Sequence, residues 1–490
     1  MEHKEMAMIP LQKNYCIGRK GLAENAASPD REMYELYCDK FDKNQFESTL
    51  DKLYSKHPML LARFDRDREL QLVDLKTKIP VIYTQMDGDY ENSKAERERI
   101  MLSIFESASM SGTALQKINV LHYMDGSASV ITLTDGLGMD GESQEIFIRD
   151  LGLLYQGKEI GEACDYKDFI KFLEEGKSKE EEIEDRKYWQ SVISDDTQGY
   201  YLINSSDNSG VKGTRAVVQR ISKEHWKCLE QVAGKNFLSL YSLLFAVYLR
   251  LLDRYSNMDK FLVSMPISIR SYELDNIENT VGMLTDFVPF PYEARAESLL
   301  DTATRIQEQL WEVQDHNRMS GADILRIAQS KQKQQLKLNW SFTAVMPSAK
   351  KEESPFVRKS VRVETGSLDV ETLILPDEEG MSLMMTYRAG CVDGEMIHKL
   401  AAHFAELLSD LAVDESKVGI NEIPLFSEDK KIIASANETE DSLESVSLLK
   451  LIQDSMDKYS KETALITEEK TFSYKELNEI ALKGQISFLA

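Results

Sequence analysis

Apolar side chains recur along the chain in two patterns, one of which predicts helices and the other strands. Helical spacing is clear in residues 43–56, 222–232 and 238–255. Strands are predicted for residues 128–134, where β-branched side chains concentrate, and for the run FLVSMPISIRS at residues 261–271. Because such segments alternate through both halves of the chain, the pattern predicts an α/β protein.

A polar loop follows the strand at residues 128–134 and leads into another predicted helix. The loop carries Asp135 and Asp140 among three glycines, and Ser143 is the predicted N-cap of the helix. Its apolar face is formed by Ile146, Phe147, Leu151 and Leu154. Two carboxylates and a hydroxyl therefore gather near a helix N-terminus, where the helix dipole favours negative charge. The alternative is a capping turn, in which Asp140 or Ser143 satisfies backbone amides and Asp135 faces solvent.

The composition is ordinary for a globular protein, whereas the charge is strongly acidic. Of 490 residues, 42% are hydrophobic and 29% charged, so the chain can bury sizeable cores in two or three domains. Acidic side chains outnumber basic ones by 83 to 59, and the net charge of −24 repels phosphate backbones and anionic bilayers. Nucleic acids and membranes are therefore not expected as partners.

Localisation and metal content are inferred from apolar stretches and cysteine spacing. The most apolar stretch, residues 240–249, is far shorter than the roughly 20 residues that span a membrane. The N-terminal segment lacks the apolar core of a signal peptide, so we expect a cytoplasmic protein. The five cysteines are scattered, with no C-x-x-C and no histidine pair at zinc spacing, so we expect reduced thiols and no metal.

The loop after the strand resembles a motif of one enzyme family. Its spacing, Asp135-x-x-x-x-Asp140-x-x-Ser143, is similar to the D-x-x-x-x-D-x-x-S signature of heterocyclization domains in nonribosomal peptide synthetases. Ordinary condensation domains carry H-H-x-x-x-D-G at the same place. In that frame Asp135 and Gly136 occupy the two histidine positions, and Asp140 is the shared aspartate.

Two further segments of the first half resemble the same family. IPLQKNYCIGR resembles F-P-L-T-x-x-Q-x-A-Y-x-x-G-R at Pro10, Leu11, Tyr15, Gly18 and Arg19. The segment HPMLLARF, which begins at His57, resembles H-P-M-L-R-A-R-F. A histidine directly before proline at a predicted helix end is more often structural than catalytic, and the resemblance implies the same for His57.

The second half carries motifs that match the family more loosely. Residues 309–326 match L-W-x-x-x-x-H-x-x-x-S-G, and VGMLTDF resembles V-G-D-F-T with Met283 in the place of the aspartate. The resemblance places Thr343 at the threonine of V-V-F-T-S and Asp369 at the aspartate of T-P-Q-V-W-L-D. In the last motif the spacing from threonine to aspartate is two residues shorter than in the family.

The resemblance implies a fold of two chloramphenicol-acetyltransferase-like lobes in a V with a central tunnel. The first lobe would span residues 1–200 and the second residues 201–424, with the boundary near Ser205–Gly213. Arg270 lies where the family has an arginine that pairs across the tunnel with the D-G aspartate. We therefore expect an ion pair between Arg270 and Asp140.

The last part of the chain has a different character. Residues 425–446 are polar and are predicted to be an interdomain linker. Residues 447–490 contain FSYKELN and resemble the truncated start of an adenylation domain, in which L-T-Y-x-E-L-N is the family motif. The resemblance implies a piece of a larger assembly-line enzyme.

The resemblance also implies a reaction: amide formation between a carrier-bound donor and a carrier-bound Cys, Ser or Thr, then cyclodehydration to thiazoline or oxazoline. The domain would bind no cofactor, because substrates arrive on phosphopantetheine arms. The donor carrier would act in trans, the acceptor carrier downstream, and the adenylation domain in cis. The implied catalytic residues are Asp135, Asp140, Ser143, Thr343 and Asp369. Asp369 would protonate the departing hydroxyl, and Thr343 would orient Asp369 by a hydrogen bond.

Two alternatives of other classes fit the same residues. A condensation domain could form only the amide by holding two substrates together. A catalytically inactive domain could serve only to dock carrier proteins. The loop lacks a histidine, so a carboxylate can act as acid or base only if burial raises its pKa. Asp369 could also be a surface residue on a strand.

Overall fold

The computed structural model describes residues 3–19, 30–65, 67–106, 116–176, 178–193, 197–202, 213–331, 336–346, 353–366, 368–377, 380–438 and 447–488. The chain forms two compact units, Met1–Pro424 and Leu425–Ala490. The first unit contains two lobes, each built around its own large sheet, as the sequence predicts. Of the predicted lobe boundary, residues 205–212 lie outside the described part.

The first half of the chain supplies most of the first lobe. Its elements in order are β1 (His3–Ala7), α1 (Pro10–Arg19), β2 (Arg31–Cys38), α2 (Lys43–Lys56), β3 (Ala62–Asp65), β4 (Leu70–Asp74), β5 (Val81–Gln85), α3 (Lys94–Glu106), β6 (Gln116–His122), β7 (Ala128–Asp135), α4 (Gly141–Tyr155), α5 (Tyr166–Glu175) and α6 (Lys179–Val192). The strand β7 is buried at all eight positions, because helices or strands cover both of its faces.

The second half of the chain supplies most of the second lobe and one strand of the first. Its elements are β8 (Gln198–Gly199), β9 (Thr214–Ser222), α7 (Lys223–Lys235), α8 (Leu240–Arg254), β10 (Lys260–Ser268), β11 (Thr285–Glu293), α9 (Leu299–Asp315), α10 (Gly321–Lys331), β12 (Trp340–Ala344), β13 (Val357–Glu364), β14 (Val370–Pro376), β15 (Gly380–Arg388) and α11 (Gly394–Val413). The sheet order is β11-β10-β12-β14-β15-β9, and β8 pairs with β10. The helix α8 is buried along most of its length in the core of this lobe.

One strand crosses from the second half into the first lobe. The sheet of the first lobe has the order β13-β2-β7-β6-β5, so β13 forms its edge. β13 runs antiparallel to β2, from Val357 opposite Tyr37 to Glu364 opposite Arg31. The chain therefore leaves the second sheet after β12, pairs with the first lobe, and returns as β14.

Two further segments contain helices. Residues 166–192 form two helices, α5 and α6, because Ser178 starts α6 with a capping box to Glu181. The stretch predicted to be an interdomain linker, residues 425–446, contains the helix α12 (Ser427–Ala436). The second unit continues with α13 (Leu448–Lys458), β16 (Thr463–Ile466), β17 (Thr471–Ser473) and α14 (Tyr474–Phe488).

The described helices differ in length and composition from membrane spans. Among the described residues, no single helix is long and apolar enough to cross a bilayer. The helices α7 and α8 meet the criteria only as a pair, with a bend of 100° between them.

Candidate active site

A cavity of about 1320 Å³ lies between the two lobes. The first lobe lines it with residues of α1, β2, α4 and the loop before α4, and the second lobe with residues of β10, α9, β12 and β14. Thr343 lines this cavity, as do Gly136 and Asp140 of the loop. The cavity is therefore the candidate active site.

Asp140 is the residue that joins the loop to the second lobe. The Arg270 guanidinium donates to both of its carboxylate oxygens, at 2.9 Å and 3.0 Å, and the side chains are each 3% exposed. Leu284 N and Thr285 Oγ1 donate to the same carboxylate at 3.0 Å and 2.9 Å. The ion pair that the sequence predicts is present, and it is bidentate.

These contacts keep Asp140 ionised. Burial acts to raise its pKa, but the charge and hydrogen bonds of Arg270, together with those of Ser143, outweigh burial and hold the pKa below its ordinary value. A carboxylate of this kind is a poor proton acceptor near neutral pH. Asp140 therefore organises the site, and its contacts do not support the predicted role in proton transfer.

Ser143 also has a structural position. The N-cap of α4 is Asp140 and not Ser143, because the backbone N–H of Ser143 donates to Asp140 at 2.8 Å. The Ser143 hydroxyl donates to the carbonyl of Gly282 and accepts from Arg270, each at 2.9 Å. Its side chain is buried and does not line the cavity. The predicted catalytic role of Ser143 is therefore not supported.

Asp135 points away from the cavity. It is the last residue of β7, is 0% exposed, and accepts from the backbone N–H of Leu137 at 2.9 Å. This local turn places Gly136, and not Asp135, on the cavity wall. A Cβ added to Gly136 would lie 3.0 Å from the Cβ of Asp30, so a side chain there would require that residue to move. The catalytic role implied for Asp135 is therefore not supported, and the alternative in which it faces solvent is wrong.

Asp369 and Thr343 are too far apart to contact each other, contrary to the expectation from the family motifs. In the parallel pairing of β12 with β14, Thr343 lies opposite Leu373, whereas Asp369 is four residues earlier, roughly 13 Å along the strand. Asp369 accepts from the side-chain amide of Asn339 and lies 3.9 Å from Arg388. It does not line the cavity. Thr343 therefore cannot orient Asp369 by a hydrogen bond.

Glu371 is the carboxyl that β14 does present to the cavity. The hydroxyl of Thr365 donates to it at 2.8 Å. Burial raises the pKa of Glu371 to about 7, against the lowering effect of Thr365. The sequence contains a signal for this residue: Thr365 and Glu371 have the full T-x-x-x-x-x-D spacing, so the match to Asp369 was two residues too short.

Glu32 is a second cavity carboxyl that the motifs did not reveal. It lies on β2, and Tyr34 donates a hydrogen bond to it at 3.1 Å. Burial raises its pKa to about 8, and the nearby Glu371 carboxylate adds to this effect. No family motif and no periodicity marked this position. The cavity thus contains two carboxyls that are partly protonated near neutral pH.

The described side chains of the cavity wall include no histidine, and their cations are bonded to protein groups. None of the six histidines whose side chains the structure describes lines the cavity. His57 is buried against Asp150 at 2.7 Å, which fits the structural role expected of it. The described cationic residues of the cavity wall are three arginines, and all three are bonded to protein groups: Arg31, Arg149 and Arg358.

The two raised carboxyls are expected to make the protein less stable as pH rises. Because their folded-state pKa values exceed the ordinary 4.5, the native state keeps protons that unfolding releases, and the free energy of unfolding falls from about pH 4.5 to about 8. Glu371→Gln should therefore raise the free energy of unfolding at about pH 8.5 by roughly 1 to 3 kcal/mol, and change it little near pH 5.

Urea denaturation of wild type and variant at both pH values measures this effect. Glu47→Gln is a suitable control, since it removes the same charge from a half-exposed site on α2. If Glu371→Gln changes the free energy of unfolding by the same amount at both pH values, the expectation is wrong.

The family of the chain follows from comparison with known proteins. A family profile described as "Condensation domain" matches residues 24–432, and the chain therefore belongs to the condensation-domain family. Condensation domains of nonribosomal peptide synthetases hold no cofactor of their own, and their substrates arrive on the phosphopantetheine arms of carrier proteins. The sequence predicted this arrangement of cofactor and carriers.

The relatives of this chain include large synthetases. Bacitracin synthase 3 of Bacillus licheniformis is 22% identical over 467 residues, and gramicidin S synthase 2 of Aneurinibacillus migulanus is 22% identical over 460 residues. These matches cover 88% and 90% of this chain. The chain spans only 7% and 10% of the two relatives.

Solved structures share the fold at low sequence identity. The nonribosomal peptide synthetase FmoA3, bound to AMPPNP, gives a TM-score of 0.77 at 17% identity, covering 97% of this chain and 50% of that one. The EpoB cyclization-docking bidomain of Sorangium cellulosum gives 0.72 at 19%, covering 84% and 85%. The first condensation domain of the calcium-dependent antibiotic synthetase gives 0.71 at 15%, covering 86% and 99%.

Proposed function

We propose that this chain is a heterocyclization domain of a nonribosomal peptide synthetase. It joins a carrier-bound acyl donor to a carrier-bound Cys, Ser or Thr through an amide bond. It then closes the acceptor side chain onto the new amide and removes water, which gives a thiazoline or oxazoline. The observation that carries this proposal is Glu371, a cavity carboxyl whose pKa of about 7 suits it to donate a proton.

The proposal explains why the described lining of the cavity contains acids and no histidine. Amide formation between two bound thioesters draws much of its acceleration from proximity and orientation. Ring closure also needs a proton donor, because the hydroxyl leaves readily as water only when it is protonated. A carboxyl that remains partly protonated near neutral pH supplies that proton, whereas the ionised Asp140 does not.

Two comparisons support the assignment. The EpoB bidomain is described as a cyclization domain, and its fold matches that of this chain. The loop of this chain also has the D-x-x-x-x-D-x-x-S spacing, in which Asp140 and Ser143 hold Arg270 and the backbone of Gly282. In this proposal the motif is kept for its structural role, and the proton chemistry comes from the second lobe.

The proposal extends to the partners and to the domain order. The donor carrier acts in trans and the acceptor carrier downstream. Residues 1–200 and 201–424 form the two lobes, with two exceptions: β13 joins the sheet of the first lobe, and β8 joins that of the second. Residues 447–490, after the segment 425–446, are the start of an adenylation domain. FmoA3 supports this last assignment, because its alignment covers 97% of this chain and its structure contains AMPPNP.

The test is the mass of the product formed from two loaded carriers. We expect wild-type protein, given an acyl donor carrier and a cysteinyl acceptor carrier, to yield a dipeptidyl thioester that has lost one water beyond the amide. Accumulation of the amide alone would assign the chain to ordinary condensation. No transfer, with retained carrier binding, would assign it to docking. Either result overturns heterocyclization.

A further inference from the structure

Glu32 faces the same cavity as Glu371 but comes from the other lobe. It lies on β2, opposite Val363 of β13 in the antiparallel register. Val363 also lines the cavity and is two residues before Thr365, whose hydroxyl donates to Glu371 at 2.8 Å. The crossing strand therefore brings the two carboxyls to the same part of the cavity wall.

The nearby cations are already paired with other carboxylates: Arg31 with Glu364 and Arg358 with Glu145. The charged and titratable groups that face them are Tyr15 of α1, Asp30 before β2, Tyr34 of β2, Asp140 and Glu145 of α4, and Arg358 and Glu364 of β13. Asp140 and Glu145 are occupied by arginines, and so is Glu364. In the part of the chain that the structure describes, neither Glu32 nor Glu371 forms a salt bridge.

Two partly buried carboxyls in this arrangement do not lose both protons easily. Once the first is ionised, its charge opposes ionisation of the second, and the charge of Glu371 indeed raises the pKa of Glu32. Over an interval near neutral pH the pair therefore holds one proton. In that state one carboxyl is an acid and the other is a base.

We propose that Glu32 is a second catalytic residue, which transfers protons to and from the closing ring together with Glu371. This inference rests on the ring-closing function proposed above. It adds a base beside the acid, so that one carboxyl donates a proton while the other accepts one.

The proton count closes over the reaction. Ring closure forms a bond from the acceptor sulfur or oxygen to the amide carbon; the base takes the thiol or hydroxyl proton, and the acid protonates the carbonyl oxygen. Dehydration breaks the bond from that carbon to its hydroxyl and forms the C=N bond. The two carboxyls exchange roles between the steps. The one that took the thiol or hydroxyl proton now protonates the departing hydroxyl, which leaves as water, and the other takes the proton of the ring nitrogen. Each step donates one proton and accepts one, so no other reactant is needed.

The experiment compares Glu32→Gln, Glu32→Asp and the control Glu47→Gln, measuring amide formation and ring closure separately across pH. We expect Glu32→Gln to slow ring closure by about 100-fold or more, while amide formation stays within about threefold of wild type. The pH profile of ring closure, bell-shaped in wild type, should keep only one limb in Glu32→Gln. Glu32→Asp should recover part of the rate, and Glu47→Gln should behave as wild type.

Failure of this inference is distinguishable from failure of the proposed function. If wild type makes no ring, heterocyclization itself is wrong, and Glu32 has no such role. If wild type makes the ring and Glu32→Gln closes it at the same rate with the same bell-shaped profile, only the inference is overturned. Equal loss of amide formation, ring closure and thermal stability in Glu32→Gln would show a structural role and would also overturn it.

Discussion

Glu371→Gln is expected to form the linear dipeptidyl thioester and to close its ring at least about 100-fold more slowly than wild type. Glutamine keeps the size of the side chain and can still accept from Thr365, but it has no proton to give a departing hydroxyl. Amide formation should persist, because holding the two substrates together still serves the first step. Intact-mass analysis of the acceptor carrier over time measures both products.

The matched control for this variant is Asp369→Asn. It makes the same change from acid to amide two residues earlier on the chain, at a carboxylate that does not line the cavity. Wild-type ring closure is expected in Asp369→Asn. If Asp369→Asn loses ring closure and Glu371→Gln retains it, the assignment of Glu371 is wrong and the shorter motif alignment is right.

Asp140→Ala is expected to lower the free energy of unfolding by roughly 3 to 5 kcal/mol, because it strands the buried charge of Arg270. Arg270→Ala should cost a similar amount, since it leaves the Asp140 carboxylate buried without its cation. The double variant should cost less than the sum of the two, because neither charge is then left without its partner. Urea denaturation of the three variants measures these costs.

A surface ion pair provides the comparison for that experiment. Lys56 and Glu162 lie 2.6 Å apart, but the Glu162 side chain is 75% exposed. Glu162→Ala should therefore cost no more than about 1 kcal/mol. A cost for Asp140→Ala as small as this would show that the Arg270 pair does not hold the lobes together.

The sequence was informative where local pattern and long-range chemistry coincide. Helical spacing predicted α2 at residues 43–56, where the structure has Lys43–Lys56, and β-branched residues predicted β7. The pairing of Asp140 with Arg270 was also predictable, because a D-G aspartate at a helix start and an arginine after a strand are both recognisable in the family pattern. These features depend on a few residues with fixed spacing.

The roles of the site residues were less predictable, for physical reasons. The spacing of Asp135 and Ser143 does not reveal that β7 is covered on both faces, or that the Ser143 hydroxyl bonds to Gly282 across 139 positions. Glu371 differs from the family aspartate by one methylene group. Asp369, two residues earlier, matches the residue type of the motif but not its spacing. Glu32 becomes part of the site only because β13 crosses to pair with β2, which periodicity along one segment cannot show.

The crossing strand has a consequence for engineering hybrid synthetases. A chimera that replaces residues 201–424 as a block would also replace β13, and with it the partners of first-lobe residues. Arg31 would lose Glu364, and Glu35 would lose the hydroxyl of Ser360. To exchange one lobe between such enzymes and keep these contacts, residues 353–366 must be inherited with the first lobe, through two additional recombination points that flank this segment.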